Sequence, residues 1–348
     1  MLTEGKRIAV DANPAVRDVA TGTEVYTREL CRRLAGVAPA FAWTFFASRP
    51  AAGLGFDLTV APFRRLWSQV RLPVALASSR PDLLFVPAHS VPLAWTGRAL
   101  TVVHDLAFEK YPDAYSARER ALLQATTRWA VARCPLLIAV SEATKADLVA
   151  CYRVAPDRVR VVHNGGGVVP ASVPPPASNL PPEPYVLQVG RVEARKNQGA
   201  ALAAVERLDG VHLVVAGPVR DEELGARLRA SKRCVVTGRV DDAELEALYA
   251  HAAAVVVPSL YEGFGMPVLE AMARGKPVVA ARNSSLPEVG GDAAVYVDDP
   301  NDPEELAAAL ETAMRDTALP AKGRARAAGF TWERCARGVV DVIREALG

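Results

Sequence analysis

Short runs of aliphatic and β-branched residues alternate along the whole chain with longer segments whose apolar positions recur every three or four residues. Continuous apolar runs suit strands buried on both faces, so the alternation predicts parallel sheets covered by helices on both sides. In the first half the expected strands are 7–10, 43–47, 82–86, 100–104, 136–140 and 159–163. Tyr26, Leu30 and Leu34, spaced by four, predict a helix over 23–35. The capping box Ser116-x-x-Glu119 opens another that runs to about residue 132, and Ser141 is a suitable N-cap for a third. The second half repeats the plan with strands at 185–189, 212–216, 234–236, 254–257, 277–280 and 294–297, and with helices between them and at 303–314. The last segment, 331–347, has Thr331 as N-cap and an apolar face of Trp332, Cys335, Val339, Val342, Ile343 and Leu347.

Between the halves, residues 169–184 contain seven prolines in sixteen positions. That density removes the backbone donors a helix or sheet ladder needs and favours an extended connector. The expected fold is therefore α/β, with two Rossmann-like domains facing each other across a cleft. Their bounds are 1–168 and 185–330, joined by the linker 169–184 and followed by a terminal helix, 331–348. Sheets of this kind bind ligands at the carboxyl ends of their strands.

Composition narrows the classes. Of 348 residues, 50% are hydrophobic and 23% charged, which excludes a disordered chain. The net charge of +2 argues against nucleic acid as a partner. It conceals an asymmetry: residues 1–168 carry 21 basic against 14 acidic side chains, and residues 169–348 carry 20 against 25. No apolar run reaches the roughly 20 residues of a membrane span, and the first residues lack the apolar core of a secretory signal, so a cytoplasmic location is expected. The five cysteines form no CxxC pair and read as buried apolar residues in a reducing compartment. Residues 62–80 interleave Arg64, Arg65, Arg71 and Arg80 with Leu66, Trp67, Val70, Leu72 and Val74, a pattern interrupted by Pro73. It reads either as a helix packed on the first sheet or as a peripheral contact with an anionic membrane surface at the inner face of the cell membrane.

Two loops carry candidate chemistry. In Glu262-Gly-Phe-Gly-Met-Pro-Val-Leu-Glu270, Pro267 suits a first helical turn, so Glu262 precedes the helix and Glu270 lies within it. Gly263 and Gly265 leave bare backbone amides at a helix start, which makes a phosphate cradle, with carboxylates placed to accept hydrogen bonds from sugar hydroxyls. The same spacing also describes an ordinary glycine turn with acidic residues near a helix start. The second loop, Gly190-Arg191-Val-Glu193-Ala-Arg195-Lys196-Asn197, follows the first strand of the second half. Its Arg191 and Lys196 could clamp a diphosphate, or the loop could simply be solvated. His89, His163, His212 and His251 are scattered and read as packed or surface residues.

These residues, GRVEARKN followed by PSLYEGFGMPVLEAMARGKPVVA, resemble family-4 retaining glycosyltransferases of the GT-B fold, the group 1 glycosyltransferases. The resemblance also takes in VDANPAVRDVATGTEVYTREL, VVHDLAFEKYP, AVSEATKADL, VVHNG and the closing FTWE helix. It implies that Gly190, Arg191 and Lys196 hold the donor diphosphate and that Glu270 binds the ribose. It places Glu262 by the donor sugar, with Gly263, Phe264, Gly265 and Met266 offering backbone amides. The segment of Gly238, Arg239 and Val240 would lie along the base. His104 would face the anomeric carbon from the acceptor side, supported by Asp105, with Gly22 and Thr23 nearby. The catalytic set is thus His104, Arg191, Lys196 and Glu262. The resemblance also implies a closing helix packed on the first domain, a nucleotide-sugar substrate, no cofactor and no metal. GDP-mannose is the favoured donor, and a saccharide or lipid-linked saccharide the acceptor. Many relatives read Gly-x-Gly where this chain has Gly22-Thr23-Glu24, which leaves the role of Gly22 less defined.

Other classes share parts of this pattern. A nucleotide-sugar epimerase of the same fold would need no acceptor, and a non-catalytic sugar-nucleotide or glycan-binding protein would need no reaction. A nicotinamide-dependent oxidoreductase would require a G-x-G-x-x-G after a strand, which is absent.

Overall fold

The computed structural model describes residues 5–17, 22–63, 67–166 and 184–348. The chain divides into two compact units, Met1–Gly165 with Thr331–Gly348, and Gly166–Phe330. The proline-rich segment up to residue 183, and Arg64, Arg65 and Leu66, lie outside the described residues.

The first unit is built on β1 (Arg7–Asp11), β2 (Ala42–Ala47), β3 (Leu58–Val60), β4 (Leu83–Val86), β5 (Ala99–Val103), β6 (Leu137–Ala139) and β7 (Val159–Val161). They pair in parallel in the order β3-β2-β1-β4-β5-β6-β7. β4 and β5 are buried at every position, as strands covered on both faces should be. The helices are α1 (Gly22–Val37), α2 (Trp67–Ser79), α3 (Ala107–Lys110), α4 (Ala117–Arg133) and α5 (Glu142–Tyr152). Ser116 and Glu119 form a reciprocal capping box on α4, and the Ser141 hydroxyl accepts from the Thr144 amide at the start of α5.

Three readings need correction. β3 was not expected, because an edge strand of three residues is too short to show a period. Pro73 does not interrupt the 62–80 pattern: α2 runs through it. Proline removes one helical hydrogen bond, but Leu72 and Leu76 are fully buried on either side and their packing holds the helix. Among the cysteines, Cys31, Cys134, Cys234 and Cys335 are buried as expected, whereas Cys151 is exposed on α5.

The second unit has β8 (Tyr185–Val189), β9 (His212–Ala216), β10 (Cys234–Gly238), β11 (Ala254–Val257), β12 (Val278–Ala281) and β13 (Val295–Val297). They form a second parallel sheet ordered β10-β9-β8-β11-β12-β13. Helices α6 (Gln198–Val205), α7 (Glu222–Ala230), α8 (Asp242–His251), α9 (Met266–Ala273), α10 (Leu286–Gly290), α11 (Pro303–Arg315) and α12 (Leu319–Ala327) complete it. Both units therefore have the α/β, Rossmann-like arrangement expected from the alternation.

The last helix, α13 (Trp332–Leu347), belongs to the first unit. Its buried stripe runs from Trp332 and Cys335 through Val339 and Ile343 to Leu347, and it packs against α1. Trp332 meets Tyr26 of α1 edge-on, with ring centroids 5.8 Å apart. Gly165 is required at the chain's approach to this helix, because a Cβ there would fall 2.3 Å from the Trp332 amide nitrogen. Arg160 forms an ion pair with Glu345, and Arg98 donates to the Leu347 carbonyl. Among the described residues no helix is long and apolar enough to cross a membrane.

Candidate active site

In the second sheet the chain moves one way from β8 to β9 and β10, and then returns to place β11 on the other side of β8. That reversal is a topological switch point, where the loops leaving the carboxyl ends of β8 and β11 splay apart and leave room for a ligand. Both chemically loaded loops leave at this point.

The loop after β8 carries Gly190 and Arg191 and then tightens into a 3-10 turn over Ala194–Lys196. Arg191 is exposed, and its side chain makes no hydrogen bond or ion pair with the described residues. The loop after β11 runs from Ser259 to Gly265, the N-cap of α9, and Pro267 lies in the first turn of that helix. Gly265 has φ +99°, which a side chain would strain, and a Cβ would press within 2.8 Å of the Leu286 side chain.

The two loops are joined by buried charge. The Lys196 ammonium donates to Glu262 Oε1 at 2.5 Å, and the Ser259 hydroxyl donates to the same oxygen at 2.7 Å. Arg195 lies 3.7 Å from Glu262 Oε2. Its guanidinium also donates to Glu193 Oε1 at 2.7 Å and to the Tyr261 carbonyl at 2.6 Å. On the far side, the Glu262 amide donates to the Ser284 hydroxyl at 3.0 Å, and the Ser285 hydroxyl donates to the Glu262 carbonyl at 2.9 Å. Burial pushes the Glu262 carboxyl up, but the Lys196 and Arg195 charges outweigh it and hold the group below the ordinary carboxylate range. Glu262 is thus a fixed anion, and it fixes Lys196 in turn.

Glu270, within α9, is half-buried and accepts from the Tyr249 hydroxyl at 2.7 Å. Burial and the neighbouring Glu270 charge push the Tyr249 phenol well above its usual range, so it stays a donor. Arg274 lies over the Tyr249 ring and pairs with Glu246. One carboxylate oxygen of Glu270 is therefore committed to orientation. Gly238 ends β10 on the outer edge of the sheet with φ +72°, and exposed Arg239 and half-buried Val240 follow it.

In the first unit, His104 stands immediately after β5. Its Nε2–H donates to the Pro87 carbonyl at 2.7 Å, and its ring meets Tyr26 edge-on at 4.8 Å. Burial lowers its pKa, partly offset by that hydrogen bond and by Asp105 and Glu24, so the ring stays neutral with Nδ1 as an acceptor. The Asp105 carboxylate accepts from the Ala107 amide at 3.0 Å at the start of α3. Gly22 is exposed at the first position of α1, where a Cβ would meet no described atom within 4 Å, and the Thr23 carbonyl accepts from the Thr27 hydroxyl. Of the other histidines, His89 packs against Phe108 and meets the Thr127 hydroxyl, and burial lowers its pKa to about 4.

Sequence reasoning passed over several residues of these edges. Arg195, Glu193 and Ser259 support Lys196 and Glu262 directly. Asp11, at the end of β1, is buried and accepts from the Asn13 amide and the Ser68 hydroxyl. Burial raises its carboxyl to about 6. Its only signal was its place at the end of an apolar strand.

Comparison with known proteins gives these edges a context. Residues 175–329 match the family model described as glycosyl transferases group 1, and residues 20–165 match that of glycosyltransferase family 4. O-antigen chain mannosyltransferase B of Escherichia coli is 30% identical over 271 residues, which is 71% of this chain and 70% of that protein. Serotype-specific mannosyltransferase WbdA of Escherichia coli is 27% identical over 324 residues, 80% of this chain but only 39% of that longer protein. Among solved structures, HepE of Anabaena in complex with UDP and glucose superposes with a TM-score of 0.74 at 17% identity, covering 98% of this chain and 100% of HepE.

Proposed function

Because the chain belongs to the group 1 glycosyltransferases, we propose that it transfers mannose from GDP-mannose to a saccharide or lipid-linked saccharide, with retention of anomeric configuration and without a metal ion. The choice of mannose follows the two mannosyltransferase relatives, and a nucleotide-sugar donor is consistent with the UDP bound by HepE.

The observation that carries the reading is the Lys196–Glu262 pair at the switch point, beside the exposed Arg191. As the bond from the sugar to the diphosphate breaks, negative charge grows on the leaving diphosphate. A lysine already held in place by a buried carboxylate, with the planar fork of Arg191, meets that charge with little reorganisation. These side chains supply the electrostatic role a divalent cation plays elsewhere. Glu270, oriented by Tyr249, keeps an oxygen for the ribose hydroxyls, and the neutral His104 offers Nδ1 on the acceptor side. Gly190, Gly238, Arg239, Val240 and the amides of Gly263, Phe264, Gly265 and Met266 complete the proposed donor contacts, and Gly22, Thr23 and Asp105 the acceptor side.

The test is release of GDP from GDP-mannose in the presence of oligosaccharide and polyprenyl-linked acceptors, with and without EDTA. The expected result is acceptor-dependent release undiminished by the chelator, and an α-linked product by proton NMR. Release from UDP-sugars alone would overturn the donor, a β-linked product the retention, and loss on chelation the metal independence.

Peripheral contact with an anionic membrane is also part of the proposal, supported by the exposed Phe63 before α2 and Val70 and Val74 on it. Flotation with anionic vesicles is expected to carry the protein at low salt and lose it at high salt. No flotation at low salt would leave the acceptor in solution.

A further inference from the structure

A cavity of about 390 Å³ opens in the first unit, beyond the carboxyl ends of β1 and β2. Four arginines reach it from three segments. Arg17 follows the turn after β1, Arg49 lies just past β2, and Arg28 and Arg32 stand one turn apart on α1. No acidic side chain lines the cavity among the described residues. A guanidinium does not lose its proton, and like charges one helical turn apart repel, so this convergence requires compensation.

Part of that compensation is internal. Arg17 pairs with Glu24 at 2.9 Å. Arg32 pairs with Glu29 and donates to the Leu54 carbonyl at 2.8 Å. Arg49 Nε donates to the Val16 carbonyl at 2.9 Å, which fixes the plane of its fork. Arg28 is different. Its Nε is enclosed and has no hydrogen-bond partner, and no described carboxylate pairs with it. The rest of this half-exposed guanidinium lines the cavity with no described carboxylate against it, and an anion there would supply the charge-assisted partner it lacks.

We propose that this cavity binds an anionic group, a phosphate monoester or a carboxylate, carried by the acceptor saccharide. The volume is at the small end of ligand pockets and fits one phosphorylated or acidic sugar residue. Ala15, Val16 and Leu54 give it an apolar wall against which a sugar ring can lie. Only the ligand's role as acceptor rests on the glycosyl-transfer reading. Anion binding by the arginines stands on their geometry.

The test is calorimetric titration of the full chain with mannose 6-phosphate, with glucuronate, and with mannose as the neutral control. At least one anionic probe is expected to bind, more weakly at high salt, while mannose does not. The probe that binds identifies phosphate or carboxylate as the group recognised. Arg28→Gln keeps a good helix former on a half-exposed position and is expected to weaken binding by about tenfold or more. Arg28→Lys should retain part of the affinity, and Arg191→Ala should leave it unchanged. Binding of neither probe, equal affinity in Arg28→Gln, or loss in Arg191→Ala would overturn the proposal. Arg28-dependent binding in a chain that transfers no mannose would support the anion pocket and count against the transferase reading. Mannose transfer by a chain that binds neither probe would overturn the pocket alone.

Discussion

Under the proposed reaction, replacing Lys196 with alanine is expected to lower turnover by ~10²-fold or more, because the charge removed is the one proposed to meet the leaving diphosphate in the transition state. The fold should survive. Glu262 keeps the Ser259 hydroxyl and the nearby Arg195, so its buried charge is not left alone. Acid stability reports the same pair independently. In the native chain Glu262 titrates below its ordinary range, so its contribution to stability is present above its unfolded pKa of about 4.3 and is lost as pH falls through the lower folded value. Without Lys196 the desolvation of Glu262 meets less opposition and its folded pKa rises. Unfolding on acidification should then begin at a higher pH. Turnover measured with GDP-mannose and an acid-unfolding curve check both parts. Near-native turnover in a folded Lys196→Ala protein would remove Lys196 from the reaction.

What the chain discloses before folding depends on how local the physics is. The strands β4, β5 and β12 are legible because a parallel strand buried on both faces must be apolar throughout. The stripe from Trp332 to Leu347 is legible because a surface helix needs a single apolar face. The start of α9 could be read from Pro267 and the preceding glycines, each with its own backbone requirement. The Lys196–Glu262 pair could not be read this way. Its members are 66 positions apart, and they meet only because β11 joins the sheet beside β8. Each loop could be suspected separately, but the partner of each depended on strand order. The bond from Ser68 to Asp11, across 57 positions, was hidden for the same reason. Pro73 misled in the opposite direction, since a local rule against proline yielded to the packing of Leu72 and Leu76. Local rules thus find the elements and the loops, while tertiary neighbours decide which charges compensate one another.

That compensation makes Arg195 the residue on which the second unit's stability should depend most sharply. Its guanidinium is buried, bonds the Glu193 carboxylate and the Tyr261 carbonyl, and lies close to Glu262, while its own carbonyl accepts from the Leu260 amide. One side chain therefore fastens the loop after β8 to the loop after β11. Arg195→Ala removes the partner of a buried carboxylate, a change that costs about 3–5 kcal/mol where measured in buried pairs. Arg282 and Asp298 provide the internal control, because their ion pair has the same 2.7 Å separation but is largely exposed, with Arg282 also lying over the Tyr296 ring, a contact of about 0.5–1 kcal/mol at such a site. An exposed pair contributes about 0–1 kcal/mol, so Arg282→Ala should barely move the unfolding midpoint. Urea unfolding of the two variants is expected to separate them by several kcal/mol. A second variant, Glu193→Gln with Arg195→Met, removes both charges of the closest pair and should recover part of the loss, since no carboxylate is then left facing the missing guanidinium at Glu193. If Arg195→Ala unfolds no earlier than Arg282→Ala, the link between the two loops is not what holds this edge of the sheet, and Lys196 and Glu262 must be positioned by their strands alone.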